Sequence, residues 1–286
     1  MASPYMDGVR RALPIVLGYV PVAFAFGVLA VKSNIPPALV VAMSVFHFAG
    51  SGQFVCAGLW GAGVGAMSVI VAVFVVNLRH LLMSAAMAEP LACCLHGIDA
   101  AGIRPGSTVC VIGGGAIGLL MVQLARLSGA AKVILSEPVE LRRSAGLSVG
   151  ADLAVDPLRE DLSARVREAA GKSGADVVIE CVGNTAATRS AFEAAGFGAT
   201  VLLFSVPAPT ATVPLPLFDV YKKELAIRGS FINPDTHLRA VELLSAGRIN
   251  VEPLITHTFG IGEMEQAIKM QMGGESIKVM VLPNKR

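Results

Sequence analysis

The chain has 286 residues, 54% of them hydrophobic, and a mean hydropathy of +0.66, which is too apolar for an ordinary soluble enzyme of this length. A formal net charge of +2, with no run of Lys and Arg, excludes a polyanionic partner and with it nucleic-acid binding. The apolar excess is uneven: no Asp, Glu, Lys or Arg lies between Lys32 and Arg79, whereas charged residues recur every few positions from Glu89 onward. Five cysteines, Cys56, Cys93, Cys94, Cys110 and Cys181, are odd in number and mostly sit in apolar surroundings, which fits buried thiols in a reducing compartment. Cys93 and Cys94 are adjacent rather than spaced as C-x-x-C, so they suggest neither a zinc knuckle nor a redox pair.

The first element is "ALPIVLGYVPVAFAFGVLAV", Ala12 to Val31, long enough to cross a bilayer and preceded by Arg10 and Arg11 as cytoplasmic anchors. It is too long and too proline-rich for a signal peptide. A second apolar stretch opens at Pro36 and Pro37, breaks at "FAGSGQF", Phe48 to Phe54, and resumes through "GAMSVIVAVFVVNLRHLLMSAAM". Two or three spans are possible, giving an all-α transmembrane-like segment that meets lipid through residues 12–86. Gln53, Asn77, Arg79 and His80 are polar groups at membrane depth that need partners or water.

"LPIVLGYVPVAFAFGVLA", "FAGSGQF" and "VVNLRHLLMSAAMA" resemble the start of the AzlC-type branched-chain amino-acid permeases. In that family the complete subunit works with a small membrane partner to export branched-chain amino acids. The resemblance covers about the first third of such a permease, and a midplane transport site needs more helices than that. Residues 1–88 are therefore read as a permease-like fragment acting as a membrane anchor.

Next comes "STVCVIGGGAIGLLMVQLARLSGAAKVILSE". An apolar strand run, Thr108 to Ile112, turns at Gly113, Gly115 and Gly118 and continues as a helix to Ser128, with Ala116 and Ile117 in its first turn. A G-x-G-x-x-G between strand and helix is the dinucleotide-binding signature. Gly113 permits the tight turn, Gly115 the approach of a pyrophosphate, and Gly118 the packing of helix on strand, while the helix amino terminus offers its dipole and free N–H groups to the phosphates. The second strand, "KVILS", ends at Glu137, about 20 residues beyond the glycines, where a ribose-binding acid is expected. A carboxylate there accepts from both ribose hydroxyls and repels a 2′-phosphate, favouring NAD over NADP. Arg142 and Arg143 pull the other way; "VELRRSAGL" is helix-like and both are read as its solvated face, with Arg142 kept among the candidate cofactor-binding residues. "ADLAVD", "ADVVIECVG", "GATVLLFSV" and "ELAIRGSF" then alternate with helical stretches such as "TRSAFEAAG" and "THLRAVELLSAG", predicting an α/β fold with a Rossmann doubly wound parallel sheet.

From Glu89 to the C-terminus the chain resembles the zinc-type medium-chain alcohol and polyol dehydrogenases, near the sorbitol and threonine dehydrogenase branch. The resemblance lies in "EPLACCLHGIDAAGIRPGSTVCVIGGGAIGLLMVQLARLSGAAKVILSE", "ADVVIECVGN" and "HLRAVELLSAGRINVEPLITHTFGIGEMEQAI". It implies NAD held by Gly113, Gly115, Gly118 and Glu137, with Cys181, Val182 and Gly183 and Phe204, Ser205 and Val206 beside the adenine-ribose and nicotinamide portions. It also implies zinc, and Glu89 matches an acid that in the polyol branch can join the catalytic zinc shell.

The family's amino-terminal domain supplies a zinc-ligating Cys, a His–Glu pair and usually a four-cysteine structural cluster. None appears in these 286 residues, and the permease-like segment occupies the corresponding place. Glu89 is an orphan ligand, since zinc needs three protein ligands and an exchangeable water. Its side chain is expected to face water or to cap the adjoining helix. His96, His237 and His257 read as ordinary helix-surface and strand histidines, so no metal set is assigned. "PLITHTF" and "IKVMVLP", which in the resembling enzymes return to the other domain, are expected to leave edges and apolar faces uncovered.

"SAAMAEP" is thus a seam between residues 1–88 and 89–286, across which a helix can run until Pro90. Three readings are open: a membrane-tethered NAD(H)-binding protein lacking full catalytic competence, a transport fragment with a nucleotide sensor, and a chimeric chain without joint function. The first places the NAD-binding domain in the cytoplasm, which requires an even number of crossings. Substrate and oligomeric state are not legible.

Overall fold

The computed structural model describes residues 86–282 together with residues 30, 32, 33, 35 and 36. The spans expected within residues 12–86, the "FAGSGQF" turn, Cys56, Gln53, Asn77, Arg79 and His80 therefore lie outside the described residues, apart from those isolated positions. Among the described residues no helix is long and apolar enough to cross a membrane. The chain divides into two compact units, Met1–Leu82 and Met83–Arg286. In the first, Ala30 and Ile35 are buried, and the Ile35 amide donates to the Ala30 carbonyl at 3.1 Å.

The second unit opens with a helix, α1, over residues 86–101. Met87, Leu91, Ala92, Cys94, Leu95 and Ile98 recur at helical spacing and are buried in one core cluster. Pro90 was expected to end this helix, yet the helix continues through it. Pro90 lacks only one donor, and the buried stripe on either side of it holds the backbone in register. Met87 and Ala88, permease-like in sequence, thus pack in the same unit as Glu89 and the dehydrogenase-like residues after it.

Six parallel strands come next: β1 (Thr108–Ile112), β2 (Lys132–Ser136), β3 (Leu153–Val155), β4 (Ala175–Glu180), β5 (Ala195–Leu203) and β6 (Ala226–Gly229). Their order is β3-β2-β1-β4-β5-β6, every neighbouring pair parallel, so the predicted doubly wound sheet is present. The central strands read as continuous apolar runs because both of their faces are covered. Val109 and Val111 of β1 join the cluster with α1, whereas Cys110 and Ile112 join a second cluster on the opposite face.

Helices α2 (Ala116–Leu127) and α3 (Glu140–Ser148) pack on the α1 side. Helices α4 (Leu162–Ala170) and α5 (Thr185–Ala194) cover the other side through Leu162, Val166, Ala191 and Phe192. Every residue of α2 from Gly118 to Ala125 is buried, which explains an apolar pattern with no polar face. Helices α6 (Leu217–Lys223) and α7 (His237–Ser245) precede a two-stranded parallel sheet of β7 (Ile255–Gly260) and β8 (Lys278–Leu282), with α8 (Met264–Met272) between them. The C-terminal runs expected to be orphaned thus pair with each other. Ile277 and Met280 reach the main core, while most of both strands stays half-buried.

Thr236 is buried at the head of α7 and donates through its hydroxyl to the Ala92 carbonyl at 2.7 Å. Arg239 pairs with Asp99 through both of its terminal nitrogens. These contacts fix α1 to α7, and through them the bed on which α2 lies.

Candidate dinucleotide site

Strand β1 has β2 on one side and β4 on the other, so successive helices leave β1 and β4 toward opposite faces and a crevice opens between them at the carboxyl ends. The glycine turn lies there. Gly113 takes φ +100°, closed to residues with a side chain, and a Cβ on it would meet Val182 Cγ2 at 2.8 Å. Gly115 is the residue before α2 and lends it no side-chain cap; a Cβ there would enter open space. Ala116 and Ile117 are half-exposed in the first turn, which holds no acidic residue. The helix therefore presents amide donors and its positive dipole end to the crevice, the arrangement that receives phosphate oxygens.

Gly118 was expected to let helix approach strand. Its closest constraint is tighter and more local, since a Cβ would fall 1.8 Å from the Gly113 carbonyl oxygen, with Val111 Cγ1 of the strand at 3.6 Å. Gly114, not singled out from the sequence, is restricted less severely and by a side chain: a Cβ there would meet Glu137 Cγ at 2.8 Å.

Glu137 lies just past β2 and is buried. Its Oε2 accepts from the Gly114 amide at 2.7 Å and its Oε1 from the Val139 amide at 2.9 Å. A carboxylate has about four lone-pair positions, so each oxygen keeps one for a ligand hydroxyl. The turn that would hold phosphate and the acid that would hold ribose are thereby joined by a direct bond.

The arginines of α3 differ from the sequence expectation. Arg142 is mostly buried, donates to the Gly274 and Ser276 carbonyls at 3.0 and 2.8 Å, and stands 4.0 Å from Glu137 Oε1. Arg143 donates to the Glu137 and Pro138 carbonyls at 2.8 and 2.6 Å and faces Asp156 at 3.4 Å. They are not a solvated face. The carbonyls clustered where β2 ends and where the chain approaches β8 recruit both guanidinium groups, and a 2′-phosphate would have to compete with those bonds.

On the far side of β1 the Cys181 amide donates to the Ile112 carbonyl at 2.9 Å, which places Cys181, Val182 and Gly183 against the glycine turn. Gly183 takes φ +89°, and a Cβ there would lie 3.3 Å from the Val206 carbonyl oxygen, so this loop also touches the Phe204–Val206 segment. The Phe204 ring fills the space above Gly97 of α1, and Val206 is almost fully exposed.

One participant escaped sequence reasoning. Glu180, the last residue of β4, is 1% exposed, and its Oε1 accepts from the Val182 and Gly183 amides at 2.7 and 2.9 Å. Its Oε2 accepts from the Ser205 hydroxyl, and its carbonyl accepts from the Phe204 and Ser205 amides at 3.1 and 3.2 Å. The signal was a charge closing the apolar run "VVIE".

The thiols sit nearby without acting as nucleophiles. Cys94 donates weakly to the Ile117 carbonyl at 3.9 Å and lies within electrostatic reach of Cys181, although the sequence pattern separates the two by a strand. Packing α1 beneath the turn brings them together. Burial pushes Cys94 and Cys181 well up, Cys110 to about 12 and Cys93 to about 11, the last also through its bond to Glu89, so all four favour the neutral thiol.

Glu89 faces water, as one of the two expectations had it: it is exposed on α1 and accepts from Cys93 Sγ at 3.1 Å. His96, His237 and His257 lie on α1, α7 and β7. Among the described residues no three His, Cys, Asp or Glu converge as a metal-holding set. The donors described here do not fit a catalytic zinc, and no step is derived through one. A groove of about 620 Å³ lined by Arg167, Arg189, Phe192 and Lys223 lies on the α4–α5 face, apart from the glycine turn.

Fold and turn together define a dehydrogenase-type dinucleotide-binding domain. Residues 116–246 match the family model of the zinc-binding dehydrogenases, and residues 14–98 match that of the AzlC protein. Sorbitol dehydrogenase of Gallus gallus is 32% identical over 199 residues, covering 68% of this chain and 55% of the relative. The sorbitol dehydrogenase of Halalkalibacterium halodurans is 34% identical over 207 residues, 70% of this chain and 59% of the relative. Among solved structures, one described as a zinc-binding dehydrogenase from Sinorhizobium meliloti 1021, bound to NADP, has 40% identity and a TM-score of 0.67, covering 70% of this chain and 59% of that one. Alcohol dehydrogenase TADH from Thermus sp. ATN1 has 28% identity and a TM-score of 0.65, with coverages of 70% and 60%. The chain thus spans little more than half the length of the relatives it matches. The AzlC match runs to residue 98, across α1, so that one helix carries both likenesses.

Proposed function

We propose that this chain binds NAD(H) through Gly113, Gly115, Ala116, Ile117, Gly118 and Glu137, as a polyol-dehydrogenase-type nucleotide domain. The observation that carries this reading is the Glu137 carboxylate bonded to the Gly114 amide at 2.7 Å, beside an uncapped helix terminus. The bound nicotinamide supplies hydride acceptance and donation. The chain supplies amides for the pyrophosphate, a carboxylate for the adenosine ribose, and the loops after β4 and β5 as walls for the other half. NAD is preferred to NADP because the buried Glu137 carboxyl group stands where a 2′-phosphate would, and Arg142 is engaged elsewhere. The test is titration of the full chain with NADH and NADPH. Saturable binding with NADH preferred supports the reading; no binding of either overturns it.

In this proposal residues 12–86 tether the domain to a membrane with the nucleotide site on the cytoplasmic side, and the chain alone does not oxidise alcohols or polyols. The AzlC match supports the tether. A reporter fused after Arg286 that proves active outside the cell would overturn that topology. The same match favours a second reading, a branched-chain amino-acid transport fragment or a chimeric chain, and transcripts crossing Met87 to Leu91 decide whether one gene encodes both parts.

A further inference from the structure

Glu180 is a carboxylate buried where charge is costly, with no ion-pair partner among the described residues, and only N–H and O–H donors compensate it. Those donors belong to two loops: Val182 and Gly183 come after β4, and Ser205 after β5. Glu137 and Glu180 flank β1 from opposite sides, at the ends of β2 and β4. If Glu137 takes the adenosine ribose, the pyrophosphate crosses the start of α2 and the nicotinamide half falls over β4 and β5. Among the described residues the hydrogen bonds and ion pair of Glu137 run to Gly114, Val139, Arg142, Arg143 and Val155, none of them on that side. We propose that Glu180 is a positioning residue for the nicotinamide half of the site. By tying both loops to one rigid strand end, it sets the walls between which the nicotinamide ring lies. The inference rests on the proposed dinucleotide binding.

The experiment compares NADH with ADP-ribose, which keeps the adenosine and both phosphates but lacks the nicotinamide, on the full chain and on Glu180→Ala, Glu180→Gln and Ser205→Ala. Loss of the buried acceptor is expected to weaken NADH by about tenfold in Glu180→Ala, while ADP-ribose changes by less than about twofold. Emission of bound NADH, which senses the surroundings of the nicotinamide, should shift toward that of the free cofactor. Glu180→Gln keeps a carbonyl to accept from Val182 and Gly183, and its amide can donate to Ser205, so it should recover most of the NADH affinity. Ser205→Ala, which removes one tie and leaves the strand intact, should show a smaller loss confined to NADH and serves where Glu180→Ala does not fold. Equal losses of both ligands, unchanged NADH binding, or a Gln variant as weak as the Ala variant would overturn the positioning role alone. Failure of the unmodified chain to bind either ligand would instead overturn the proposed function, and this inference with it.

Discussion

At the scale of single residues, Glu137 holds the Gly114 amide and, in the proposed site, the ribose, two roles that mutation can separate. Glu137→Ala removes the ribose acceptor and leaves the Gly114 amide without a partner, so NADH affinity should fall about tenfold or more. Glu137→Gln keeps an acceptor and removes the charge, so its NADH affinity should fall less while NADPH binding improves. Calorimetric titration of both variants with both cofactors measures this, and an unchanged NADH preference in Glu137→Ala would remove Glu137 from the selector role. Two glycines give a sharper contrast. The Cβ of Gly118→Ala would collide with backbone, the Gly113 carbonyl at 1.8 Å, and should cost about 3 kcal/mol or more. At Gly146 the obstacle at 2.2 Å is Leu135 Cδ2, the end of a buried side chain and not backbone, so a small shift of that side chain relieves it, and removing a helix-interior glycine returns about 1 kcal/mol. Gly146→Ala should lie within about 1 kcal/mol of the unmodified chain. Urea midpoints of the two variants test the ranking.

At the scale of elements, the join of α1 to α7 rests on a buried and an exposed contact of different worth. Thr236→Val removes a buried hydrogen bond to the Ala92 carbonyl, which keeps its partner within the α1 ladder, and should cost about 1 kcal/mol. Asp99→Ala removes an ion pair about half exposed on each side and should cost less than about 1 kcal/mol. Denaturation of each variant decides, and a larger loss for Asp99→Ala would reverse the assignment. The same distinction explains what the sequence disclosed. The strands were legible because a parallel sheet buried on both faces writes itself as apolar runs, as in Thr108–Ile112 and Ala175–Glu180. The glycine turn was legible because its three constraints fall at fixed spacing. Arg142 and Arg143 were misread because helical periodicity reports which face a residue occupies. It does not report which carbonyls a distant loop, here Gly274 and Ser276, brings to that face. Glu180 escaped for a related reason: two of the three donors to its carboxylate are backbone amides, which every residue but proline carries and no sequence displays. The pairing of β7 with β8 was obscured because "PLITHTF" and "IKVMVLP" were judged against a domain beyond these residues instead of against each other.

At the scale of the molecule, the thiols give a pH dependence with a definite sign. Burial holds Cys93 and Cys110 protonated up to about 11 and 12, with Cys94 and Cys181 also raised, whereas each would ionise near 9.0 when unfolded. Above that value the unfolded chain binds fewer protons than the folded one. This contribution is therefore complete below about pH 9 and is lost as pH rises toward the folded values. Urea midpoints compared at about pH 7 and about pH 10 should fall at the higher pH, and a rise would contradict the sign. Metal content belongs to this scale too: the purified chain is expected to hold no stoichiometric zinc and to form no NADH from alcohols or polyols. Near one zinc per chain with metal-dependent turnover would reveal a ligand set beyond the described residues.

Helix α1 carries a consequence for how two such sequences can be joined at all. Its buried stripe, Met87, Leu91, Cys94, Leu95 and Ile98, is continuous across the place where likeness passes from one family to the other. A helix advances about 100° per residue, so one residue gained or lost between Met87 and Leu91 would swing Met87 out of the core and leave a void beside α2. The joint is therefore a matter of angular phase as well as reading frame. Of the possible offsets within one helical turn, only joins that keep Met87 over the core would yield this folded unit, whatever history brought the two sequences together.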